Sequence, residues 1–141
     1  MAGLYRCSLA VCLLLLASCG NTQAPAGRWQ GFIESPNWAI AVRLQVEDGN
    51  AIRASALSTG IDGMSLPAKF EAERQIKAAL KDQWPKAARG QVDFQNDTMT
   101  RAGGVAPLFV FEPRSRTMTF YFYAGGKLTE KVVCLPVEHF D

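Results

Sequence analysis

The sequence predicts a mainly β domain, an antiparallel meander forming a small closed or partly open barrel with one inserted helix. Three observations carry this. Trp38, Ile40, Val42, Leu44 and Val46 alternate with Ala39, Ala41, Arg43 and Gln45, the period of a strand with two distinct faces. Turn-forming pairs such as Asp48-Gly49 and Gly125-Gly126 separate the extended runs, because glycine and aspartate accept positive φ at low cost. Only one stretch, about residues 67–84, carries helical spacing with start and stop signals.

In chain order, 28–34 reads as a first strand and Ser35-Pro36-Asn37 as a turn. The alternating run 38–46 is the second strand, and 51–57 the third, across the Asp48-Gly49 hairpin. Ser65-Leu66-Pro67 opens the helix, with serine as cap and proline in the first turn. Phe70, Ile76, Leu80 and Trp84 are expected on its packed face, and Pro85 ends it. That face is thin in apolar residues, so the helix should lie on the sheet or close one end of it. Residues 91–94 form a short strand followed by an Asn96-Asp97 turn, and 107–112, 117–123 and 127–135 form a closing meander. About seven strands of this kind fit a barrel, which removes exposed edges.

Composition bounds the function. The chain of 141 residues is 48% hydrophobic and 20% charged, one ordinary globular domain. Fifteen Lys+Arg against 13 Asp+Glu give a net charge of +2, too little basic excess for a nucleic-acid partner. A single histidine, His139, stands near the C-terminus, which removes most histidine-dependent catalysis and metal sites.

The first residues read as an address. Arg6 lies in a short n-region, 9–16 are uninterrupted apolar residues, and Ala17-Ser18-Cys19-Gly20 are small. So short an apolar run does not stably span a bilayer of roughly 30 Å. Leu16-Ala17-Ser18-Cys19 resembles the lipobox of bacterial lipoproteins. The resemblance implies cleavage between Ser18 and Cys19, diacylglyceryl attachment to the Cys19 sulfur and acylation of the new amino terminus. Residues 1–18 would then be a cleaved signal, 19–27 a lipidated tether and 28–141 a single β-rich domain. Gly20, where inner-membrane retention calls for aspartate, implies the outer membrane, facing the periplasm. Of Cys7, Cys12, Cys19 and Cys134, only Cys134 would remain free, and its apolar setting Val132-Val133-Cys134-Leu135 suggests a buried, inert thiol.

A second resemblance covers about residues 27–67. Gly27-Arg28-Trp29-Gln30-Gly31, then Pro36, an alternating strand, a glycine turn and Ala51-Ile52-Arg53-Ala54-Ser55 are similar to the start of calycin-type barrels, lipocalins among them. The likeness implies a barrel with Trp29 closing one end.

Catalytic patterns are sparse. Gly63-Met64-Ser65-Leu66-Pro67 lacks the second glycine of a nucleophile elbow. Cys134 and His139 would need a local turn to meet. Glu138, His139 and Asp141 lie at a terminus, where polar groups are usually solvated. Glu34, Asp62, Asp93 and Glu112 could pair only through the fold. No enzyme, metal or cofactor is expected. Candidate binding residues are Tyr121 and Tyr123, opposite Met118, Phe120 and Phe122 along one strand, and Arg114 and Arg116 on the preceding connection, with Arg101 close. The expectation is a membrane-anchored, non-catalytic binding module for an envelope protein, one form being an immunity-type inhibitor of a periplasmic toxin. The alternative is a calycin-like carrier of a small hydrophobic ligand or lipid.

Overall fold

The meander runs through eight strands. The computed structural model describes residues 22–141, so the expected signal segment and the lipobox-like run with Ser18 and Cys19 lie outside the described residues. The strands are β1 (Gly27–Glu34), β2 (Trp38–Val46), β3 (Ala51–Gly60), β4 (Arg89–Gln95), β5 (Thr98–Arg101), β6 (Pro107–Glu112), β7 (Thr117–Ala124) and β8 (Lys127–Val137), with helix α1 (Leu66–Gln83) between β3 and β4. They form a closed antiparallel barrel in chain order. The mainly β class with one helix is as the sequence predicts. The additional strand is β5, four residues joined to β4 by Asn96 and Asp97, both at positive φ (51° and 59°).

Antiparallel register sorts the connections to two ends. At the tether end lie the start of β1, the connections 47–50, 96–97 and 113–116, and the end of β8. At the helix end lie 35–37, 61–65, 102–106 and 125–126. The segment before β1 is pinned: Asn50, at φ 61°, accepts the Ala24 N–H on Oδ1 (2.7 Å) and donates from Nδ2 to the Thr22 carbonyl (2.8 Å). Ala24 is buried against the core.

Alternation fills the barrel. Ile40, Leu44, Met99, Met118, Val132 and Cys134 point inward with no exposed surface. Trp29 is 1% exposed; its indole N–H donates to the Arg116 carbonyl (2.9 Å), and Phe111 meets it edge-on at 6.4 Å. This side chain closes the tether end, joining β1 to the β6–β7 connection.

The outer face of β2 is buried as well, which explains its alanines. Ala39 and Ala41 let α1 approach, and Ile76 and Leu80 of α1 pack there with Ile61. Ser65 caps α1 by accepting from the Ala68 N–H. Phe70 is 57% exposed, not on the packed face. Six residues separate it from Ile76, about 240° around a helix of 3.6 residues per turn; Ala72, Ile76 and Leu80 form the seam.

Two ladders are short. β4 pairs with β3 only at Ala51, Ile52 and Arg53, whereas β2 follows β3 from Ile52 to Gly60. β1 meets β8 only from Arg28 to Gln30.

Candidate functional site

The site with the most shape is a groove of about 510 Å³ on the outside of the barrel, between α1 and the β1–β8 seam. Gly31 and Phe32 of β1, Ala41 and Arg43 of β2, and Val133 and Leu135 of β8 form its floor, and Lys77, Leu80 and Lys81 of α1 one wall. Val133 and Leu135 are 55% and 59% exposed. They lie on the solvent side of β8 because Val132 and Cys134 take the inward positions. Lys77 and Lys81 are one helical turn apart. The Lys77 ammonium stands 4.2 Å above the Phe32 ring and bonds Glu73 (2.6 Å).

The C-terminal residues close the tether end of the groove. Arg43, 7% exposed, donates to the Asp141 carbonyl (2.6 Å), and Gln30 donates to the Asp141 carboxylate (2.9 Å). Burial pulls the Arg43 guanidinium below its usual value, and Asp141 pushes it back up. Four side chains stack in alternation: Arg53 over Trp84 (4.8 Å), Trp84 against Phe140 (4.8 Å) and Arg43 over Phe140 (5.0 Å). Cation–π contacts of this kind hold each partly desolvated guanidinium in place. The groove thus has an apolar floor, cations along one wall and a carboxylate at one end, suited to an apolar side chain flanked by acidic groups.

The residues singled out from sequence are spread over the barrel. Arg114 and Arg116 sit at the tether end, where Arg116 serves through its backbone carbonyl. Tyr121 faces outward mid-strand, opposite Lys131, whose ammonium lies 4.8 Å over its ring. Tyr123 is at the helix end, about 23 Å along the strand from Arg116 at 3.3 Å per residue. A register shift between Phe122 and Tyr123 pairs them with Glu130 and Leu128. The extra residue is Thr129 of β8, so the irregularity lies on that strand and β7 itself runs unbroken. The Tyr123 hydroxyl donates to the Pro107 carbonyl (2.9 Å), and with Arg101 and Leu108 it lines a smaller hollow of about 330 Å³. Arg101 ends β5 at the helix end, remote from Arg114 and Arg116 and not close to them. The helix α1 rests on β2 and β3. The four candidates therefore do not form one surface.

Glu34 and Asp62 lie at the helix end and Glu112 at the tether end, while Asp93 accepts the Gly103 N–H (3.0 Å). Among the described residues no three His, Cys, Asp or Glu side chains are grouped to hold a metal ion, and no helix is long and apolar enough to cross a membrane.

Cys134 is buried as the apolar run suggests. Burial pushes its thiol from the ordinary 9.0 up to about 12, with a Phe120 backbone hydrogen bond pulling slightly back. The raised value means that the neutral thiol is favoured in the folded state. Its contribution is fully present below pH 9 and is lost as pH rises towards about 12. Over that range, stability should fall by about 1.4 kcal/mol per pH unit. Urea titrations of wild type and Cys134→Ala would separate this slope from other groups. Iodoacetamide at pH 8 should modify the thiol only after unfolding; rapid modification of the native protein would contradict the assignment.

In comparisons with known proteins, no family model, no curated protein and no solved structure matches the chain.

The groove escaped sequence reading because its walls come from five separate segments. One signal was present: Val132-Val133-Cys134-Leu135 is apolar on both faces, and an antiparallel strand apolar on both faces has something to cover on the outside.

Proposed function

We propose that the chain is a membrane-anchored bacterial envelope lipoprotein whose barrel acts as a non-catalytic binding module on the periplasmic side. The observation that carries the binding reading is the outer groove, with Val133 and Leu135 exposed beside Lys77 and Lys81, on a barrel whose interior is filled by side chains. Apolar surface of this kind, rimmed by charge, marks interaction sites. The partner chemistry it supports is a protein segment that inserts an apolar side chain and sets carboxylates against the two lysines; an immunity-type inhibitor is one form of such a module. The anchor rests on Leu16-Ala17-Ser18-Cys19. The clamp at Asn50 supports a defined exit for the tether beside the barrel. Anchoring holds the module at high local concentration, so modest affinity suffices.

The experiment is a pull-down from envelope extract with the lipidated protein. Leu135→Asp and the double change Lys77→Glu, Lys81→Glu should lose the captured partner while altering stability by less than about 1 kcal/mol, as exposed positions do. Full capture by both variants would reject the groove. Cys19→Ala should abolish palmitate labelling and leave an uncleaved precursor; persistent labelling would reject the anchor.

The calycin-like carrier is a second reading, favoured by Trp29 at the barrel end beneath its Gly27-Arg28-Trp29 start. It requires a hydrophobe in place of the inward side chains. Native mass spectrometry from detergent showing a bound lipid at full occupancy would favour it over a protein partner.

A further inference from the structure

We propose that the bare edge of β3, from Ala54 to Gly60, takes an extended acidic-ended segment of a partner protein, running antiparallel to β3. This surface is separate from the groove, and the inference stands without it.

The first ground is backbone satisfaction. β2 follows β3 to Gly60, but β4 leaves it after Arg53. Along the remaining seven residues, alternate N–H and C=O groups point away from β2 and have no backbone partner among the described residues. Such a row is a template for an added strand. Edges are ordinarily blunted by lysine, proline or a bulge. The run Ala54-Ser55-Ala56-Leu57-Ser58-Thr59-Gly60 has none of these, and its pairing with β2 runs without a register shift.

Space is the second ground. Ala56 and Ser58 pair with Val42 and Ile40, which point inward, yet both are exposed. The barrel wall is low here because β5 ends at Arg101, opposite Val92. Small side chains at these positions leave room for the apolar side chains of an incoming strand, which would cover them.

Charge supplies the direction. At the foot of the bare edge, Arg53 is committed to the Trp84 ring and carbonyl. Arg89 is mostly exposed and meets Glu47 only at 3.6 Å. Lys86 is exposed and forms no ion pair among the described residues. A strand laid antiparallel to β3 continues the line of β4 and delivers its C-terminal end to Arg89 and Lys86. Carboxylates there meet a local cationic excess.

The test uses the full-length protein in detergent and a blocked peptide of alternating valine and threonine ending in two glutamates. With peptide at ten times its Kd, amide exchange at alternate residues from Ala54 to Gly60 should slow about tenfold, with little change along β6. The same peptide N-methylated on one edge should give no protection, and Arg89→Glu should weaken binding several-fold without unfolding the barrel. Unchanged exchange at millimolar peptide would overturn the proposal, as would protection that survives N-methylation. Slow exchange in dilute protein without peptide would show the edge already covered. Protection that grows with protein concentration alone would assign the edge to a second copy of the chain instead.

Discussion

Gly31→Ala should lower the unfolding free energy by about 3 kcal/mol, at the upper end of overpacking costs. The expectation follows from the β1–β8 seam. A Cβ at Gly31 would stand 2.7 Å from the Val133 carbonyl oxygen, 2.8 Å from the Cys134 sulfur and 3.0 Å from the Cys134 Cα. Two of these three atoms are backbone and cannot swing aside, and the third is a buried, short side chain. Relief requires β1 and β8 to part, where their ladder is already only three residues long. Gly31→Leu should leave no closed barrel. Gly90→Ala is the matched control: it lies on β4 with nothing within 4 Å of its added Cβ and should cost well under 1 kcal/mol. Urea denaturation of the three proteins decides the matter. Equal losses for Gly31→Ala and Gly90→Ala would show that the seam tolerates a methyl group.

The second large effect is expected at Trp29. Trp29→Ala removes the largest fully buried side chain of the core, its edge-on contact with Phe111 and the hydrogen bond that fixes the Arg116 carbonyl. The cavity and transfer terms together amount to about 4 kcal/mol. Trp29→Phe retains the aromatic contact but strands the carbonyl, so it should cost about half as much. Arg116→Gly should be nearly neutral or slightly stabilising, because Arg116 is exposed at φ 55°, a conformation that glycine adopts freely. Thermal melts showing Arg116→Gly as damaging as Trp29→Phe would mean that the guanidinium, rather than the carbonyl, holds this end together.

Elements with strong periodicity were legible in the sequence. β2 starts and stops at Trp38 and Val46 as its alternation requires, and α1 is capped by Ser65. β5 was not legible, since Thr98-Met99-Thr100-Arg101 offers one inward side chain and too short a run to show a period. The contact of Tyr123 was hidden for a different reason. Its hydroxyl donates to the Pro107 carbonyl across the barrel wall, a contact between residues sixteen apart that no local pattern announces. The spacing of six between Phe70 and Ile76 only loosely approximates the helical repeat, and the resulting angle puts Phe70 off the packed face of α1. Candidate sites fared as their separation dictates: Tyr121, Tyr123, Arg114 and Arg116 are near in sequence but strung along a strand, which extends rather than gathers them. The groove, by contrast, unites Phe32, Arg43, Lys77, Leu135 and Asp141, which no local spacing connects.

The seam between β1 and β8 also dictates when this molecule can finish folding. The barrel's two outermost strands in sequence are neighbours in space, and the Arg43–Phe140 stack ties the second strand to the last residues. A nascent chain therefore carries an open, curled sheet, its first strand waiting for one not yet made. Pairings this distant along the chain close slowly, on the scale of milliseconds to seconds. Until β8 is made, β1 lacks its partner from Arg28 to Gln30. A stop codon late in the reading frame would accordingly be no minor trim: it would leave a ring with its clasp missing.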